Sequence, residues 1–128
     1  MFPDYHVVFV PGEDFLINGN TERLEQVLMN IINNAVKYSP QSKEVVVSVE
    51  KAGANVKISV TDYGIGLSTE QQGKIFERFY RVDDKNFMVS GLGMGLYISK
   101  EIIKNHNGSM GVYSKINEGA TFYITLPL

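Results

Sequence analysis

The chain has 128 residues, 44% of them apolar and 20% charged, which suits one domain whose core needs no staples. A formal net charge of −2 and the lack of cysteine give no basic field for nucleic acid and remove disulfides, thiolate metal sites and thiol nucleophiles. No apolar run approaches the ~18 residues of a membrane span, and the N-terminus lacks the charged and apolar regions of a signal peptide. The expectation is one domain over residues 1–128, starting abruptly in strand-like sequence as part of a longer protein.

"YHVVFV" (5–10) and "DFLING" (14–19) read as short strands around the turn-forming Pro11-Gly12. From Thr21 to Tyr38 the apolar residues Leu24, Leu28, Ile31, Ile32 and Ala35 recur at helical spacing, with Asn20 as N-cap and Ser39-Pro40 as the stop. "EVVVSVEKAGANVKISVTD" supplies two β-branched runs joined at residues 52–55, a hairpin. Ser68 caps a short helix with Glu70 in its first turn. Residues 81–95 are polar, glycine-bearing and without period, so they read as a mobile loop, most mobile over 81–90. "LYISKEIIKNHNG" is a second amphipathic helix with Leu96, Ile98, Ile102 and Ile103 inward and Asn107-Gly108 as C-cap. Two last strands flank residues 117–119. Hairpins imply antiparallel pairing, and amphipathic helices need a sheet face to cover. The expected class is therefore α+β: a two-layer α/β sandwich, with a mixed, mostly antiparallel sheet covered on one face by about three helices.

At roughly 100° per residue, Asn30, Asn34 and Lys37 share one narrow strip of the first helix, with Tyr38 on its edge. Carboxamide oxygens at i and i+4 can address one hard cation without adding charge, which suits Mg²⁺ that also takes phosphate and water. Lys37, one turn on, could reach a phosphate. The same strip also reads as solvent-facing or backbone-capping amides.

Three glycine clusters follow. "TDYGIGL" breaks a strand with Asp62, Gly64 and Gly66, and the acceptor-only Asp62 suits an exocyclic amine such as adenine's, or else closes a local turn. "SGLGMGLYIS" runs Gly91, Gly93 and Gly95 into a helix, an anion site without the Lys of a Walker loop or the spacing of a Rossmann fingerprint, or else a plain lid. "NEGATF" carries Gly119 and Thr121. Between the first two, "IFERFYRVD" sets Phe76, Phe79 and Tyr80 as anchors and leaves Arg81 to project toward phosphate or solvent.

In order and spacing, these stretches resemble the catalytic, ATP-binding domain of bacterial sensor histidine kinases, on the GHKL (Bergerat) fold shared with gyrase B, Hsp90 and MutL. "NIINNAVKYSP" is similar to that family's N box, "DYGIG" to its first glycine box, "FERFYR" to its F box, "GLGMGL" to its second glycine box and "NEGATF" to its last glycine motif. The resemblance spans essentially the whole chain and implies the following. Asn34, helped by Asn30, ligates Mg²⁺, and Lys37 and Tyr38 contact the phosphate and nucleoside side. Asp62 accepts from the adenine amino group beside Gly64 and Gly66, with Thr121 adding a water-bridged contact. Gly91, Gly93, Gly95 and Leu96 wrap the phosphates of ATP, and Arg81 addresses the γ-phosphate. The partners implied are a phosphoacceptor histidine domain of the same parent protein and, through the parent, a response regulator. Nucleic acid and direct membrane contact are not expected, and the expected state is a cytoplasmic monomer.

One departure bears on the chemistry. Where the hydrolysing relatives carry a water-activating glutamate, this chain has Asn30, which cannot act as a general base. Bound ATP is then expected to be held for transfer, with slow intrinsic hydrolysis. His6 and His106 lack the helical His-Glu/Asp context of a phosphoacceptor and read as ordinary histidines. An anti-sigma serine kinase is disfavoured by the F box, a gyrase-type ATPase by Asn30, and a non-catalytic scaffold by the intact asparagines and glycines. The residues of the lid "VDDKNFMVS", Lys85 included, receive no individual role.

Overall fold

The computed structural model describes residues 6–9, 16–37, 44–77 and 95–128. Among them lie five strands, β1 (His6–Phe9), β2 (Glu44–Ala52), β3 (Asn55–Asp62), β4 (Ser109–Lys115) and β5 (Gly119–Pro127), and three helices, α1 (Thr21–Lys37), α2 (Thr69–Lys74) and α3 (Gly95–Asn105). They form one sheet in the order β1-β2-β3-β5-β4. β1 runs parallel to β2, and every other pairing is antiparallel. The expected α+β sandwich is the architecture found. No helix among the described residues is long and apolar enough to cross a membrane.

Alternation along the strands decides which face is covered. Val45, Val47, Val56, Val60, Phe122, Ile124 and Leu126 are buried toward the helices, while Lys57, Ser59, Thr61, Thr121, Tyr123 and Thr125 occupy the other face, partly exposed. α1 contributes Val27, Ile31, Ile32 and Ala35 to the same core, and α3 contributes Leu96, Ile102 and Ile103. Phe76, just after α2, meets Phe122 edge-on, with ring centroids 6.2 Å apart and planes at 83°. That contact pins the expected aromatic anchor onto the sheet.

The helix ends follow the expected signals. Asn20 Oδ1 accepts from the Arg23 N–H at 3.0 Å, and Ser68 and Gln71 close a reciprocal capping box. At the end of α3 the N–H groups of Asn107 and Gly108 donate to the carbonyls of Lys104 and Ile103. Asn107 takes a left-handed φ of 62° there, which makes a Schellman stop.

The described part of the second expected strand, residues 16–19, is irregular, and Leu16 is 93% exposed. β1 pairs instead with β2, beyond α1, because a strand joined through a helix can align in parallel, as a tight turn would not allow. Pro11, Gly12, Asp14, Phe15, Ser39, Pro40 and the loop over 81–90 lie outside the described residues.

Candidate functional site

Chain connectivity brings the described parts of the N box, the first glycine box and the last glycine motif to one end of the sandwich. β2 starts soon after α1 ends, and its first residues pair with the last residues of β3, with Val46 opposite Thr61. The C-terminal half of α1 therefore lies near the Asp62 end of β3. The β4–β5 turn reaches the same place, since Ala120 is the register partner of Asp62. α3 packs on α1: residue 20 of α1's cap meets residue 106, and residue 30 meets residues 95 and 99. The pair is antiparallel, so the start of α3 faces the asparagine strip.

Asp62 is 2% exposed. Its Oδ1 accepts from the Gly64 N–H at 3.0 Å, and the Ala120 backbone N–H donates to the carboxylate as well. Burial pushes its pKa above the ordinary 3.8, and the two backbone bonds pull back only part of the way. A buried carboxylate with unspent acceptor capacity favours a ligand that brings N–H donors.

The wall around Asp62 is held from behind. Gly66 and Gly119 both take left-handed φ, 71° and 88°, and a side chain on either would run into backbone, the Lys115 carbonyl for Gly66 and the Asp62 carbonyl for Gly119. Gly66 is thus required by packing against β4. Ser114 Oγ donates to the Gly119 carbonyl at 2.6 Å and accepts from the Leu67 N–H at 2.8 Å. Gln72 Nε2 spans the Leu67 and Ser114 carbonyls at 3.1 and 2.9 Å. The Asn117 N–H adds a bond of 2.7 Å to the Ile65 carbonyl. Ser114 and Gln72 carry no motif, and nothing in the sequence signals them.

On α1, Asn34 Nδ2 donates to the Asn30 carbonyl at 2.8 Å. Asn30 Nδ2 donates to the Gly95 carbonyl at 3.3 Å and to Ser99 Oγ at 3.0 Å. In both amides the nitrogen is engaged, which orients each oxygen away from those partners. Two neutral oxygens one helical turn apart fit a hard divalent cation that completes its shell with phosphate and water. The described residues contain no cluster of three His, Cys, Asp or Glu that could hold a metal by itself.

The Thr121 hydroxyl pairs with that of Thr61 at 3.0 Å on the uncovered face, one residue along the strand from Ala120, the register partner of Asp62. Ala120 is the residue on the Asp62 side. The Leu96 side chain is 8% exposed within the core, which leaves only its backbone N–H, in the first turn of α3, for an anion. Gly64 lies beside Asp62, to which its N–H donates, and Gly95 opens α3 beside Asn30. Tyr38, Arg81, Gly91 and Gly93 lie outside the described residues, and Lys37 is described by its backbone alone.

His106 has a structural use. Its Nε2 accepts from the Asn20 N–H at 3.0 Å, so Nδ1 carries the proton toward the Ile102 carbonyl at 2.8 Å. Both ring nitrogens are thereby spent on joining the cap of α1 to the end of α3. Two cavities lie beside the site. One of about 420 Å³ touches Asp62 and opens beside Tyr113 and Lys115. The other, of about 440 Å³, lies among Phe76, Lys100 and Met110, on the flank of α3 turned away from Asn30.

A family model described as histidine kinase-, DNA gyrase B- and HSP90-like ATPase matches residues 19–128. The chain is 39% identical over 114 residues to the sensor-like histidine kinase SenX3 of Mycolicibacterium smegmatis, covering 88% of this chain and 30% of that protein. To the sensor histidine kinase WalK of Bacillus subtilis it is 38% identical over 133 aligned residues, covering 99% of this chain and 22% of WalK. Among solved structures, full-length ShkA in complex with AMPPNP superposes with a TM-score of 0.80 at 27% identity, over 96% of this chain and 25% of that one. The chain therefore spans less than a third of each of these relatives.

Proposed function

The chain belongs to the histidine kinase-, DNA gyrase B- and HSP90-like ATPase family, and we propose that it binds Mg-ATP and donates the γ-phosphate to a histidine on a separate phosphoacceptor domain of a two-component sensor kinase. The observation that carries this reading is the state of the two amides on α1. Each nitrogen is bonded within the protein, which turns each oxygen away from those partners. The nucleotide analogue in the ShkA structure and the sensor-kinase names of the relatives support the same reading.

In this proposal Asp62 takes the adenine amino group, and Asn34, with Asn30, holds magnesium by its amide oxygens. Lys37, Tyr38, Gly91, Gly93, Gly95 and the Leu96 N–H line the nucleotide, and Arg81 addresses the γ-phosphate. When bound, magnesium supplies charge neutralisation across the phosphate oxygens. An imidazole nitrogen of the acceptor attacks the γ-phosphorus as the bond to the β-phosphate oxygen breaks, and ADP leaves with that oxygen. No carboxylate stands at position 30 to activate water, so transfer dominates over hydrolysis. The parent's response regulator then receives the phosphate. The domain itself works in the cytoplasm as a monomer.

The test supplies the isolated domain with γ-labelled ATP, magnesium and the parent's phosphoacceptor domain. Label is expected on the supplied histidine and not on this chain, and Asn34→Ala abolishes it together with magnesium-dependent affinity. Steady hydrolysis near the ~10 s⁻¹ typical of enzymes, or label on His106, would contradict the proposal.

A further inference from the structure

Ser99 belongs to none of the motifs, yet its side chain is 0% exposed, the most deeply buried polar group among the described residues. Such a hydroxyl persists in a core only with a partner, and its partner is the Asn30 carboxamide at 3.0 Å. That amide has two N–H groups. One goes to Ser99 and the other to the Gly95 carbonyl at 3.3 Å. The two acceptors sit one turn apart on α3, so both amide hydrogens point at α3 and the oxygen points away. A flipped amide would set its oxygen against the Gly95 carbonyl.

We infer that Ser99 is a positioning residue, which fixes the Asn30 carboxamide so that its oxygen is presented to the magnesium ion held at Asn34. The inference rests on the function proposed above. Gly95 cannot do this by itself. It is the first residue of α3, where helix ends fray, whereas Ser99 lies one turn inside. Asn34 is reached differently, through the main-chain carbonyl of Asn30 at 2.8 Å, so Ser99 controls one of the two oxygens and leaves the other in place. The buried hydroxyl thereby ties the helix that follows the glycine box to the helix that carries the metal amides.

The test uses the whole chain, ¹⁵N-labelled, as wild type, Ser99→Ala and Ser99→Cys. Without nucleotide, the alanine variant is expected to shift one of the two Asn30 side-chain N–H resonances and speed its exchange, with the Asn34 pair unchanged. In calorimetry the magnesium concentration for half-saturation in the presence of nucleotide rises roughly tenfold, the low end for loss of a group that orients a ligand. Nucleotide affinity without magnesium stays at the wild-type value. The cysteine variant, whose sulfur accepts weakly, falls between the two and covers the case of an alanine variant that does not fold. Wild-type resonances and an unchanged magnesium midpoint in Ser99→Ala overturn the inference. So does an equal loss of affinity with and without magnesium, which marks a purely structural serine. A wild type with no magnesium-dependent nucleotide binding defeats the proposed function instead, and the resonances still decide whether Ser99 orients Asn30.

Discussion

The two sides of the site are built differently. The Asp62 wall is fixed by left-handed glycines pressed on backbone carbonyls, with the Ser114 and Gln72 side chains bridging the loop after β3 to the β4–β5 hairpin. The seam between α1 and α3 is held by side-chain amides and a hydroxyl. In the wall, glycine backbone fixes the shape; in the seam, the bonds from Asn30 to α3 set the orientation of the amide. The two sides thus differ in how they are held, and substitutions can separate them.

The largest expected effect falls on the wall. Gly119→Val forces a side chain at φ 88° into the Asp62 carbonyl and should cost ~3 kcal/mol or more in urea unfolding. Gly95→Ala on the seam, whose added carbon meets the Asn30 amide at an ordinary 3.8 Å, should change stability by no more than ~1 kcal/mol, in the stabilising direction. Equal losses at both positions would erase the contrast.

Next comes Asp62→Asn. It keeps an acceptor for Gly64 but removes the charge, and a hydrogen bond to a charged group is worth about 1.5–3 kcal/mol. Affinity for an adenine nucleotide should fall by about 10- to 100-fold in calorimetry. The pH dependence has a definite sign. Because burial raises the folded pKa above 3.8, the folded state holds its proton more tightly than the unfolded one. Stability relative to Asp62→Asn is therefore greatest below 3.8, falls as pH rises through the raised value, and then levels off. Thermal melts of both proteins across that range check it, and a rise with pH would show that the backbone donors outweigh burial.

A smaller loss, ~1–2 kcal/mol, is expected for Ser114→Ala, which leaves the Leu67 N–H and the Gly119 carbonyl without their bridge. The smallest is Lys74→Ala. Its pair with Glu70 spans 3.6 Å with side chains 49% and 80% exposed, and the change should stay below ~0.5 kcal/mol.

Local chemistry carried the legible part. Helical periodicity located α1 and α3, Asn20 and Asn107 marked an end of each, Ser68 marked the start of α2, and residue type with spacing singled out the amide strip and Asp62. These depend on neighbours within a turn or two. "DFLING" misled because Leu16 and Ile17 look like a strand, whereas strand formation needs a partner. The face taken by Thr121 was not legible because a one-residue step along a strand changes face, and the register of β5 on β3 is set by the sheet.

The sequence by itself determined the α+β class, the helix ends at Asn20, Ser68 and Asn107 and the kinds of group offered for a site, because propensity, capping and pattern act over short chain separations. Tertiary structure decided the parallel seat of β1, Ala120 rather than Thr121 beside Asp62, and the work of Ser99, Ser114, Gln72 and His106. Each of those four side chains has a partner far along the chain, 69, 47, 42 and 86 residues away in turn. A buried polar group takes its role from whatever the packed core brings within 3 Å, and no short-range pattern encodes that.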